Sequence, residues 1–394
     1  MKFVTFFAPR VCRWVCGSAA IMALALASQA QAFSLDDIIV GMGNDTNMGQ
    51  LLVRDHDHLQ LAPAPGSPGG GANFSSISAV AYLSNGNIVV GVNNGSNGQL
   101  FVRQRDSTLS PAPGSPPGGA AFGPITSLAV MDNDNIVVGI NNGSSGQVLV
   151  RDPITLAPAA GTPGGGTGAL GPVFDVDVLS NNNVVIGVNS GSNGQLLVRD
   201  PITLGPASGT PGGGTVLGPI TAIAVNSLDQ VAVGTSAGQL LLRDGSGGLG
   251  PVSGTPGGGT MLSPIHSLAI QSDNDIAVGT SNSLLLRVGS GGLGPVAGTP
   301  GGGTNFGQPV TALAIQSDDD IVVGLTAPNN GQVLLRQGSG GLGPVAGSPG
   351  GGVVFSHGVN GLAVIEIPEP STLVLLLGGI VGCLWRSGRS RACV

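Results

Sequence analysis

Arginine ends seven similar segments of the chain, at Arg54, Arg103, Arg151, Arg199, Arg243, Arg287 and Arg336, and acidic turns recur at 132–135, 272–275 and 317–320. In a stacked array these arginines and turns crowd one face, where they read as ion pairs between turns. A ring of bare arginines would instead bind anions, which the local excess of Asp opposes. The acidic turns also offer the oxygen ligands that Ca²⁺ takes, with DND at 273 and DDD at 318. No downstream Glu or glycine-defined loop accompanies them, and Asp and Asn are ordinary turn formers. Asp55-His56-Asp57-His58 places two imidazoles at i and i+2, which share a face on a strand, but it falls in a turn and occurs once, so a solvated tip is expected there. His266 and His357 share no motif with Ser and Asp, so spacing yields no triad. The PGGG runs have the glycines of a phosphate loop without its Lys or its following helix. These residues predict no catalytic set, no bound metal and no cofactor.

The elements that must position these groups repeat. IIVG at Ile38 returns as IVVG at Ile88 and Ile136, VVIG at Val184, VAVG at Val231, IAVG at Ile276 and IVVG at Ile321. A period of this size signals a repeat architecture. One unit reads ITSLAV, turn DNDN, IVVGI, turn NNGSSG, QVLVR, turn DPIT, LAPA, then a Gly-rich connector. That is up to four short strands with Asn, Asp and Gly turns and no helical period. Seven four-stranded units predict an all-β, seven-bladed β-propeller; an open β-solenoid is the alternative. IVVG and ITSLAV are nearly continuous apolar runs, as in sheets covered on both faces. The proline-interrupted segment, LGPVAG at Leu293, is expected to be the outermost strand. Phe74, Phe122, Leu170, Leu217, Leu262, Phe306 and Phe355, each just before an ITSLAV-type run, are expected to pack blade on blade. The repeats open on IIVG and close on an unpartnered VNGLAVI at 359–365, so the last strand is expected to complete the first blade and remove two sheet edges.

Composition narrows the function. Gly (70) and Pro (28) are abundant among 394 residues, yet 41% are apolar and only 9% charged, which does not meet the condition for disorder. The net charge is −7. Between residues 33 and 367 eight Arg and no Lys stand against 19 Asp and one Glu. So acidic a surface releases few phosphate counterions, which excludes nucleic acid and anionic lipid as partners. All four Cys (12, 16, 383 and 393) fall outside that region, so neither disulfides nor thiolate chemistry is expected within it.

Both ends carry targeting patterns. Lys2, Arg10 and Arg13 precede an apolar stretch at 19–27, and Ala30-Gln31-Ala32 places small residues, Ala30 and Ala32, where a signal peptidase cleaves. At the other end Pro368, Glu369, Pro370 and Ser371 precede an apolar run at 372–385, then Arg386, Arg389 and Arg391. The run is short of the roughly 20 residues a spanning helix needs, and snorkelling arginines supply part of the missing reach. In order and content this end resembles the PEP-CTERM sorting signal of exopolysaccharide-producing bacteria. The resemblance covers about 25 residues and departs from the usual pattern in the tail beyond the Arg cluster, Ala392-Cys393-Val394. It implies recognition by an exosortase-type processing enzyme, transient anchoring by a C-terminal transmembrane segment, and release or attachment at the cell surface.

The expected organisation is a signal peptide over 1–32, a propeller over 33–366 and a sorting signal over 367–394. Near-identity of the repeats favours a non-catalytic, monomeric structural or binding component of the surface or of an extracellular polysaccharide matrix, with exopolysaccharide or surface proteins as partners. The alternative is an extracytoplasmic lyase or lactonase. NNGSNG at Asn93, NSGSNG at Asn189 and the PGGG connectors are expected on one end, as many weak polymer-binding sites. Mass spectrometry of the exported protein should find Phe33 first and the segment after the Pro-Glu-Pro motif missing; intact tail peptides in the surface fraction would contradict the processing.

Overall fold

The computed structural model describes residues 36–365 other than 44–48, 56–60, 66, 107 and 328–329. The sorting residues Pro368, Glu369, Pro370 and Ser371, the cluster Arg386, Arg389 and Arg391, and Ala30 and Ala32 lie outside the described residues. So do His56, Asp57 and His58. Among the described residues every regular element is a strand, and none is a helix able to cross a membrane. The strands form the seven blades of a β-propeller.

Each blade is a meander running outward from a central channel. In the second blade Ser76–Tyr82 is innermost, followed by Ile88–Asn94, Asn97–Arg103 and the short outer strand Ala120–Phe122. The third blade replaces its outer strand by a single bridge between Gly146 and Leu170. The first blade draws its innermost strand from the far end of the repeats: Gly358–Val364 pairs antiparallel with Ile38–Gly43, from Ile38↔Val364 to Gly43↔Gly358.

The apolar runs become strands buried on both faces. Ile88, Val89 and Val90 are fully covered, as are their counterparts in the other blades. The glycine that ends each IVVG has a steric reason. A Cβ on Gly187 would lie 2.8 Å from Ile220 Cγ2 and 2.9 Å from Ile223 Cδ1 of the next blade. Gly91 meets Ile125 and Gly324 meets Val359 in the same way. The first β-branched residue of each inner strand thus seats on the glycine of the blade before it, and sheets pack at a distance no larger residue allows. The recurring large residues pack between blades as expected: Phe122 against the third-blade core of Ile136, Val138 and Leu149, and Phe355 with Leu52 and Leu61 of the first blade.

The outer edge departs from expectation. The LAPA and LGPV segments form no strand, because their leucines, Leu61, Leu109, Leu156, Leu204, Leu249, Leu293 and Leu342, take φ between 48° and 58°. That left-handed geometry is unfavourable for Leu, and it is held by burying every one of the seven side chains. The following proline makes only an isolated bridge to the strand-ending arginine, as Pro111 does to Arg103. The chain then turns and pairs a second piece against the other end of the same strand, Ala120–Phe122 against Gly98–Leu100. PGGG is the turn between the two pieces. Its last glycine, Gly119 in the second blade, has φ 70° and lies so close to the Leu100 carbonyl that a Cβ there would collide with it. PGGG therefore runs along the outer rim and does not share an end with the NNGSNG turns, which correct the expected arrangement by lying where the inner strands begin.

Substituting Gly187→Ala should cost about 1–3 kcal/mol, as overpacking does. Gly213→Ala, at a rim glycine with nothing within 4 Å of its Cβ position, should cost nothing measurable. Chemical denaturation of the two variants checks the difference, and equal stabilities would contradict the packing account.

Candidate functional site

The seven arginines do not pair with the acidic turns. Four of them donate from Nη2 to glycine carbonyls of the rim turn: Arg151 to Gly164 (3.2 Å), Arg243 to Gly257 (3.0 Å), Arg287 to Gly301 (2.9 Å) and Arg336 to Gly350 (3.0 Å). Four guanidinium groups lie over an aromatic ring of the preceding blade: Arg54 over Phe355, Arg103 over Phe74, Arg151 over Phe122 and Arg336 over Phe306, at 4.9–5.2 Å. Burial pushes all seven below the ordinary arginine pKa, and all seven Nε atoms are buried without a protein partner. The expected ion pairs fail because each strand points its arginine sideways under the rim loop while the acids are used elsewhere. In six of the seven, a ring quadrupole, a carbonyl dipole or both compensate the cation instead.

The turn acids stitch one blade to the next. Asp134 accepts from the Ser84 backbone N–H (2.7 Å) and hydroxyl (2.6 Å); Asp229 does the same with Ser180 and Asp319 with Ser272. Asn182 and Asn274 substitute amides, accepting from the Asp132 N–H and the Ser227 hydroxyl. Asp36, just before the first IIVG, takes the same role toward Ser317 of the seventh blade, at 2.8 and 2.5 Å. These acceptors share a left-handed backbone, φ 58–72°, which Asp and Asn tolerate. In the second blade Gly86 stands at that position, and Arg105 lies against it. Burial lowers the pKa of Arg105 and the charge of Asp37 from the first blade opposes the fall, so a charge interaction spans that junction. Among the described residues no group of three or more His, Cys, Asp or Glu side chains is placed to hold a metal ion.

The inner strands line the channel, and its two halves differ. Tyr82, Val130, Ile270, Ile315 and Val364 surround an apolar half of about 350 Å³. A polar half of about 220 Å³ lies where the inner strands begin, lined by Ser78, Thr126, Phe174, Thr221, His266, Thr311 and Asn360. Here hydroxyls again stitch blades: Thr126 donates to the Val173 carbonyl (3.0 Å), Thr221 to Ile265 (2.7 Å) and Thr311 to Val359 (2.6 Å). Asn360 donates to Ile77 (3.0 Å).

The fourth blade breaks this pattern. Its inner strand Val173–Val178 reads VFDVDV where the third reads ITSLAV. Phe174 is 39% exposed to the cavity. Asp175 accepts from the Ser127 hydroxyl (2.6 Å), the Val176 N–H (3.0 Å) and the Ile223 N–H (2.7 Å). Asp177 accepts from the Val178 N–H (2.8 Å) and the Val225 N–H (2.7 Å). Both carboxylates lie between stacked inner strands, bonded to the fifth blade through the Ile223 and Val225 N–H groups. Desolvation therefore pushes Asp175 up to about 6 against its hydrogen bonds, and Asp177 up to about 7, with the Asp175 charge adding to the rise. His266, in the sixth blade, has its pKa lowered by desolvation of the ring, and its Nε2 lies 3.2 Å from Ser281 Oγ. His357 Nδ1 lies 2.8 Å from Ser356 Oγ. Asp175 Oδ1 accepts two donors and Oδ2 one, which leaves Oδ2 able to accept another, and Ser127 donates to a carboxylate and not to an imidazole; the arrangement can orient and hydrogen-bond a ligand.

Motif spacing missed Phe174, Asp175, Asp177 and Arg105. The signal was present as an exception: only one of the seven inner strands carries carboxylates.

No protein-family profile and no curated protein matches the chain. A solved structure of a protein from Lactobacillus plantarum has a similar fold, with a TM-score of 0.55 and 12% sequence identity, over 84% of this chain and 100% of that one. The likeness is one of fold alone.

A carboxyl whose pKa is raised on folding holds more protons folded than unfolded, here between about pH 4 and about pH 7, so its contribution to stability falls as pH rises through that window. Asp175→Ser with Asp177→Ala restores residues found in other repeats, such as Ser267 and Ala269. The wild type should lose several degrees of melting temperature relative to this variant between pH 4 and pH 8; parallel profiles would contradict the desolvation account.

Proposed function

We propose that the chain is an exported, surface-sorted and non-catalytic propeller that binds a component of the extracellular polysaccharide matrix. The carrying observation is where the repeat symmetry fails. The repeated acids, hydroxyls and arginines are taken up in joining blades or rim turns, whereas Phe174 and His266 face one open cavity at the polar end of the channel, beside Asp175, which both joins blades and lines that cavity. Unique polar residues in a channel of otherwise repeated ones support recognition of a ligand there.

In this reading the pairing of Gly358–Val364 with Ile38–Gly43 closes the ring, which gives a rigid monomeric carrier for the site. Export rests on the Ala30 and Ala32 site. Surface sorting by an exosortase-type enzyme rests on Pro368 to Ser371, the apolar run and Arg386, Arg389 and Arg391, the run serving as a transient membrane anchor.

Purified propeller, residues 33–366, incubated with the producing strain's exopolysaccharide at low salt should be retained on the polymer and leave its chain length unchanged. Absence of retention would overturn the binding reading. Shortening of the polymer would replace it by the lyase-type enzyme.

A further inference from the structure

We propose that the polar end of the channel is a subsite for one amino-sugar unit, its ammonium directed at Asp175 and its ring laid on Phe174. The proposal rests on the binding reading above and names the chemical class of the ligand.

Phe174 occupies a position where five of the other six blades carry Ser, Thr or Asn. A threonine there would donate to the next blade's carbonyl, as Thr221 does to Ile265. The carbonyl so abandoned, that of Ile220, is bound instead by Asn189 Nδ2 at 2.8 Å, and the Ile220 N–H donates to Asn189 Oδ1 at 2.8 Å. The junction between the fourth and fifth blades is therefore complete without a hydroxyl at 174. The phenyl ring contributes exposed apolar surface and no interblade stitch. Such a face, beside hydroxyls, suits the C–H face of a pyranose.

One residue further along, the other blades carry Ala79, Ser127, Ala222, Ser267, Ala312 and Gly361. Asp175 replaces these small side chains with a carboxylate, and no Lys or Arg lines the cavity. A buried carboxylate without a counter-charge favours a cationic ligand group and repels an anionic one. His266, with its Nε2 at Ser281, and the hydroxyls of Thr126 and Thr221 offer hydrogen-bonding partners to sugar hydroxyls. At about 220 Å³ the cavity is smaller than the pocket of a drug-sized ligand and suits a single ring.

The test is calorimetric titration of the 33–366 protein with glucosamine, N-acetylglucosamine and glucuronic acid at neutral pH. Glucosamine should bind about tenfold or more tighter than the acetylated sugar, and glucuronic acid should not bind. Phe174→Thr and Asp175→Ser, both residues that other repeats use at these positions, should each weaken glucosamine about tenfold while the protein remains folded by circular dichroism. Equal affinities for the three sugars, no glucosamine binding, or unchanged binding in both variants would overturn the subsite. Should the wild type and both variants be retained alike on exopolysaccharide, the subsite fails and the binding reading stands. Should polymer and sugars both go unbound, both fail.

Discussion

Each sheet of this protein is apolar on both faces, so no blade is complete without a neighbour on either side. That constraint sets most of the sequence. It requires a glycine at the centre of every second strand, Gly187 or Gly324 for example, so that Ile220 or Val359 of the next blade can seat on it. It also explains why a set of side-chain hydrogen bonds runs between blades. At one end Ser180 donates to Asp229, and at the other Thr221 donates to the Ile265 carbonyl, so adjacent sheets are tied at both ends of their stacked faces. Bonds to ionised acceptors are the stronger kind, and the turn carboxylates supply them.

The acidic composition follows from this use. Turn carboxylates serve as acceptors for backbone N–H groups and serines, and the left-handed turn position favours Asp and Asn over Glu. Six of the seven strand-ending arginines are held by rim carbonyls or aromatic faces, which is why they and the turn carboxylates can be abundant on one side of the propeller without pairing with each other. Phe174, Asp175 and Asp177 stand out against this economy because the fourth blade keeps its stitches through Asn189 while giving up the threonine.

The repeat, the strand pattern, the seven blades and the interblade role of Phe122 and Phe355 were legible in the sequence, since each follows from period and burial alone. The outer strand was not. LAPA reads as extended, but the gain from burying Leu109 outweighs the cost of its left-handed backbone, and no local propensity reports that balance. The partners of the arginines were hidden for a related reason: pairing by proximity of opposite charges ignores the direction in which a strand aims its side chain. The channel site was visible only as a departure from the repeat, VFDVDV among ITSLAV-like runs, and a reading centred on what recurs passes over what does not.

Side-chain stitches tie neighbouring blades together, and in the proposed closed ring Asp36 and Ser317 do so where the two ends of the repeat array meet. A double-mutant cycle on Ser317 and Asp36 tests this most directly. Asp36→Gly suits the left-handed position without strain, as Gly86 does in the second blade, and Ser317→Ala removes the hydroxyl donor. Urea denaturation of the wild type, both single variants and the double should give a coupling energy of about 1 kcal/mol. Strictly additive losses would contradict it.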